Sequence, residues 1–312
     1  MKIPGIRRWT VLALFAGALI RPLTAATILL QPVADTTLVE IAPDNNMGAT
    51  LFVNAGTAGS AGLRNRALFK FDFTAIPAHS KIRSAAVTLE VTRAPDSGGQ
   101  SSSFALHRVL RIWGEGDKDS TEEPLPGFGL PATAGEATWN ARFAFTTNAW
   151  SFPGASNDYA TVVSSSTSVF GEADFPLFAS TPQLVGDVQT WVNNPGLNFG
   201  WLLKSESESI QKTARRFGSR EFAGDDPNSP PHVVVEFVPP PTLLNLGVTN
   251  GRVQFSFLAE SNQTYVAEFK NALTPAGSWS TLTNISAPIA STNIWVSDTI
   301  STNTRFYRVI LP

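Results

Sequence analysis

The feature that most constrains this chain is a two-residue alternation of apolar side chains that returns at short intervals. In residues 66–73, Phe69, Phe71 and Phe73 fall on one face, while Leu68, Lys70 and Asp72 fall on the other. Residues 82–92 repeat it, with Val87, Leu89 and Val91 on one side and Thr88, Glu90 and Thr92 opposite. Phe104, Leu106, Arg108, Leu110 and Ile112 share one face of a third run. A period of two belongs to a pleated strand with one face in a core. Clusters of Gly, Pro, Asn and Ser at 44–48, 56–62, 76–78 and 95–100 bound these runs as turns. Residues 51–54, 199–203 and 232–238 read as further strands.

One stretch has a different period. Leu184, Val185, Val188, Trp191 and Val192 follow helical spacing over an arc of roughly 120°. Thr181 stands as cap with Pro182 in the first turn, and residues 193–196 end the helix. Gly186 weakens it by roughly 1 kcal/mol relative to Ala, so packing through Trp191 must hold it. The expected fold class is all-β: a large jelly-roll-like antiparallel β-sandwich with one short helix, followed by a small β-sandwich.

The division follows from Pro239, Pro240 and Pro241, a stiff linker at 239–242 between a large unit at 27–238 and a small one at 243–312. The small unit carries short runs at 253–257, 265–269, 279–282, 294–296 and 306–310, with turns such as Asn250-Gly251 between them. Residues 1–26 read as a secretory signal. Lys2, Arg7 and Arg8 precede an apolar run at 11–20, and Leu23, Thr24 and Ala25 approach a cleavage point. That run is too short to span a bilayer, and no later segment is long and apolar enough. The expected mature chain is secreted or extracellular, with the periplasm or cell surface as alternatives, and without a membrane span.

Several function classes are disfavoured. With 23 basic against 25 acidic residues there is no nucleic-acid footprint. The chain has no cysteine, hence no disulfide, thiolate metal site or cysteine nucleophile. His79, His107 and His232 show no metal-ligand spacing. No Gly-x-Ser-x-Gly turn is present, and the adjacent Glu122 and Glu123 do not give the carboxylate separation of a glycosidase. The expectation is a non-catalytic protein.

An ordered series of motifs carries a family likeness: Asn65-Arg66-Ala67-Leu68-Phe69-Lys70-Phe71-Asp72, Trp113-Gly114-Glu115-Gly116, Ala137-Thr138-Trp139, Asp187-Val188-Gln189-Thr190-Trp191, Asn198-Phe199-Gly200-Trp201 and Phe217-Gly218-Ser219-Arg220-Glu221. Over residues 27–238 the chain resembles the DNRLRE domain, a β-sandwich of exported bacterial proteins. Some relatives of that domain bind acidic polysaccharides such as alginate, so the resemblance implies a carbohydrate-binding module. The last seventy or so residues resemble a fibronectin-like or immunoglobulin-like sandwich, which implies a spacer or adhesive role.

Candidate ligand-binding residues follow from chemistry. Lys204, Arg215, Arg216 and Arg220 are expected to place positive charge around one sheet face, where forked guanidinium groups suit carboxylates or sulfates. The competing reading pairs Arg220 and Glu221 each with a partly buried partner elsewhere. On a strand these neighbours point to opposite faces and do not pair with each other. Trp113, Trp139 and Trp191 are expected in the core, while Trp150 and Trp201 are expected at the surface for stacking on a sugar ring. No cofactor is expected beyond a structural calcium, with Glu115, Asp117, Asp119 and Asp158 as candidate oxygen ligands and a solvated acidic loop as the competing reading. The expected partner is a polysaccharide or cell-surface glycan. The alternative is a structural or adhesive protein engaging protein partners. The sequence carries no signal of oligomeric state.

Overall fold

The computed structural model describes residues 25–59, 63–95, 99–122, 127–223, 229–273, 278–299 and 304–312. The expected signal segment lies outside the described residues except for Ala25 and Ala26. In chain order the strands of the large unit are β1 (Ala26–Leu30), β2 (Pro32–Val39), β3 (Asn45–Asn46), β4 (Phe52–Thr57), β5 (Arg64–Phe71), β6 (Lys81–Thr88), β7 (Val91–Arg93), β8 (Ser102–Val109), β9 (Leu130–Pro131), β10 (Tyr159–Val169), β11 (Leu177–Phe178), β12 (Trp201–Ser205), β13 (Arg215–Gly218) and β14 (His232–Val238). The small unit holds β15 (Leu244–Thr249), β16 (Arg252–Ala259), β17 (Tyr265–Lys270), β18 (Ser280–Ile285), β19 (Thr292–Thr299) and β20 (Phe306–Ile310).

All pairings are antiparallel. A four-stranded sheet runs β1-β14-β6-β11, and an eight-stranded sheet runs β10-β8-β12-β5-β4-β13-β7 with β2 also on β5. The sheets face each other across one core. Val87, Val233 and Val235 from the first meet Val53, Phe69, Phe71, Leu106, Leu203 and Phe217 from the second. Of these, Phe69, Phe71, Val87 and Leu106 are side chains the alternation set on one face. Each fully buried one contributes roughly 1.5–3 kcal/mol.

Helix α1 (Pro182–Asn193) closes this core. Thr181 caps it, its hydroxyl oxygen accepting from the Leu184 amide at 3.0 Å. Leu184, Val188, Trp191 and Val192 are buried, and the Trp191 ring lies 4.6 Å from Trp201 and 5.7 Å from Phe73. A second helix, α2 (Arg220–Ala223), is a single turn directly after β13. It replaces the strand end expected at Arg220. Ser219 causes the switch by starting the turn, its hydroxyl accepting from the Phe222 amide and its carbonyl from the Ala223 amide.

The irregular residues 110–122 and 127–158 form a third layer on the outer face of the eight-stranded sheet. Trp113, Trp139 and Trp150 cover Leu38, Leu68, Val109 and Leu202 in a separate apolar cluster. Asn46 anchors the layer by donating to the carbonyls of Glu115 and Ala137 at 2.7 and 2.9 Å. Gly116, at φ +93°, makes the approach feasible, because a Cβ there would lie 2.2 Å from the Asn46 amide oxygen.

The small unit is a second sandwich of two three-stranded sheets, β15-β16-β19 and β18-β17-β20, around Phe255, Phe257, Tyr265, Val296 and Val309. It contains β15 besides the runs read from sequence. Val238, at the end of β14, packs into this second core.

Candidate functional site

Strand β13 lies between β4 and β7, and its residues divide between two environments. Phe217 faces the main core, as do Val53 and Ala55 on β4. Arg216 is turned the other way, opposite Asn54 on β4 and Arg93 on β7. The β13–β7 pairing is irregular between Arg216 and Phe217. That slip brings Arg93 into line with Arg216 although Val91, two positions earlier, is a core residue. Neighbouring strands stand about 4.8 Å apart, so two guanidinium-bearing residues are anchored side by side.

These residues open onto a cleft of about 690 Å³. Its lining includes Arg64, Arg93, Lys212, Arg215 and Arg216, apolar walls from Val39, Ile41 and Phe128, and the amide of Asn54. No carboxylate is among the described residues lining it. The volume falls in the range of small-ligand sites. Phe128 is 41% exposed and offers an open ring at the cleft wall.

Arg216 is held by its surroundings. Its guanidinium carbon sits 4.0 Å from the centre of the Phe52 ring. Gly127, at φ +85°, lies over it, and a Cβ there would come within 3.0 Å of an Arg216 nitrogen. Asn54 fastens this loop by donating to the Gly127 carbonyl at 3.2 Å. Burial, and then the nearby Arg93, push the Arg216 pKa below its ordinary value. Positive charge is thus concentrated where water is partly excluded, and a bound anion would relieve it. Arg64 is positioned by Glu40, with Nε to Oε2 at 2.9 Å and Nη2 to Oε1 at 2.5 Å. Burial raises the Glu40 pKa, but the Arg64 hydrogen bonds outweigh that and hold it low.

The residues expected from sequence are distributed unevenly. Arg216 belongs to the cleft. Arg215 touches it, but its side chain is buried and donates to the carbonyls of Phe170, Gln100 and Ala214 at 2.8–3.0 Å. It is a clasp between segments, because its position on β13 aims it inward with Phe217. Lys204 lies on β12 opposite Ala105 and does not line the cleft.

Arg220 also lies away from the cleft. Its Nη2 meets Glu115 Oε1 at 3.1 Å and Glu221 Oε1 at 2.8 Å, while its amide donates to Asp35 Oδ2 at 2.7 Å. The adjacent Arg220 and Glu221 therefore do pair, contrary to the strand argument, because the helical turn sets them about 100° apart instead of on opposite faces. Asp35 is fully buried, and burial followed by Glu221 drives its pKa well above the ordinary value. Burial likewise raises that of Glu115.

Both tryptophans expected at the surface are buried. Trp201 is 0% exposed, with its indole nitrogen donating to Asp187 Oδ2 at 3.1 Å. Trp150 is 4% exposed and donates to the Thr138 carbonyl at 2.9 Å. Neither presents a face to a sugar.

The four candidate calcium ligands have separate protein partners. Glu115 takes Arg220, Asp117 takes Lys118, and Asp119 accepts from the Thr121 amide at 2.9 Å. Asp158 accepts from the Ser151 amide and hydroxyl at 2.5 and 2.8 Å. Among the described residues no group of three or more His, Cys, Asp or Glu is placed to hold a metal ion.

Sequence reasoning missed Arg64, Arg93, Lys212 and Phe128. They come from four separate stretches, Arg64 and Arg93 on strands of one sheet and Lys212 and Phe128 in turns beside them. The chain matches no protein-family model and no curated protein.

Proposed function

We propose that this chain is an exported, non-catalytic module that binds an anionic polysaccharide in the basic cleft. The observation that carries the reading is the cleft lining: Arg64, Arg93, Lys212 and Arg216 beside the inward-turned Arg215, an open aromatic ring and no carboxylate among the described lining residues. Guanidinium groups offer paired N–H donors that fit carboxylate or sulfate oxygens, and such charge-assisted bonds are worth roughly twice neutral ones. Phe128 supplies an apolar surface for the carbon face of a sugar ring. The resemblance of residues 27–238 to the DNRLRE domain, some of whose relatives bind acidic polysaccharides, supports the same ligand class. The signal-like residues 1–26 support export.

Affinity electrophoresis through gels containing alginate, pectate or a sulfated glycan tests the reading. Retention by at least one of them, weakening as salt is added, is the expected result. Unretarded migration in all three at low salt would rule the reading out.

A further inference from the structure

Besides Val238, which packs into the small core, the two sandwiches meet through polar contacts from the start of β6 and the turn before it. Lys81 Nζ donates to the Pro312 carbonyl oxygen at 2.7 Å, and the Arg83 guanidinium donates to the Gln263 side-chain oxygen. Between these and β20 stands His79, in left-handed backbone at φ 65°. Its Nε2 lies 2.8 Å from Arg308 Nη1.

Arginine has only donors. The contact therefore requires an unprotonated Nε2, and hence a neutral imidazole with its hydrogen on Nδ1. Arg308 is held where it is. Its Nε donates to Glu268 Oε2 at 2.7 Å, and its guanidinium carbon lies 4.3 Å from the centre of the Trp279 ring.

We propose that His79 is a proton-operated latch between the two sandwiches, closed when its imidazole is neutral and released when Nε2 is protonated. Adding the proton replaces the only acceptor in the pair with a second donor. It also sets two cations against each other at hydrogen-bond distance. Glu268 is the opposing charge, and its carboxylate is already engaged by Arg308. Burial and then Arg308 hold the His79 pKa below its ordinary value, with Glu268 acting in the other direction.

The sign follows from that depression. The closed form binds the proton less readily than the open form, so closure is favoured above about pH 6.5, the ordinary histidine value. Below it, the closed-to-open ratio falls by up to about tenfold per pH unit until His79 is protonated in the closed form too.

The cysteine-free chain allows direct measurement. Spin labels on Ala75→Cys and Asn293→Cys would report the distance between the sandwiches in the intact protein. One narrow distance distribution is expected at pH 7.5, and a broader, longer one at pH 5.0. His79→Gln, whose side-chain oxygen can still accept from Arg308 but does not titrate, should stay narrow at both values. An unchanged distribution in the parent, the same broadening in His79→Gln, or an open His79→Gln at both values would each overturn the proposal.

Discussion

Arg93 and Arg216 stand opposite each other across β7 and β13, two like charges brought together in a partly buried setting. Each also has partners of its own, and an anion seated between them would add a charge-assisted contact to both. Arg93→Gln is expected to leave the chain folded. It should weaken polysaccharide binding by about tenfold, the loss of one charge-assisted hydrogen bond. Calorimetric titration beside urea denaturation separates the two effects.

Gly127 allows the loop to sit over Arg216. Gly127→Ala places a Cβ against the guanidinium in a left-handed conformation, at a cost of about 1–2 kcal/mol. Affinity should fall although no charge has changed. Unaltered binding would show that this loop does not shape the cleft.

Asp35 gives a stability prediction with a definite sign. Its pKa is raised in the folded state, so its contribution is fully present below the unfolded value of about 3.9 and is lost as pH rises through the folded one. Asp35→Asn, which mimics the protonated carboxyl, should match the parent near pH 4 and exceed it in melting temperature at pH 8. Parallel melting curves across that range would contradict this.

Trp201 is a core residue on this structure. Trp201→Ala should cost about 3–5 kcal/mol in urea denaturation. The fraction that remains folded should bind polysaccharide as the parent does. Reduced affinity in that fraction would return Trp201 to the ligand site.

Much of the architecture was legible because it rests on periodicity. Phe69, Phe71, Val87 and Leu106 lie in the core that alternation assigns them, and Thr181 caps the helix that Leu184, Val188 and Trp191 announce. The site was legible only in part, for physical reasons that differ by residue. Counted from core-facing Val91, Arg93 belongs to the inner face, and only the pairing slip beside Arg216 brings it to the cleft. Arg215 and Arg216 look alike in sequence, yet the strand sends one into carbonyl-lined interior and the other to the outer face. Ser219 turned Arg220 and Glu221 into a helical pair. The burial of Trp150 is not legible in sequence, because a long loop gives no periodic signal of the face it covers. Here that loop is itself a layer with its own core.

The row of cations in the cleft should make polysaccharide retention depend on salt. The parent chain and the double variant Arg93→Gln/Lys212→Gln would be compared on alginate, pectate and sulfated-glycan gels across a range of sodium chloride concentrations. Strong retention of the parent at low salt, a steep decline as salt screens the contacts, and weak, flat retention of the variant are expected. Equal retention and equal salt dependence in the two proteins would contradict this.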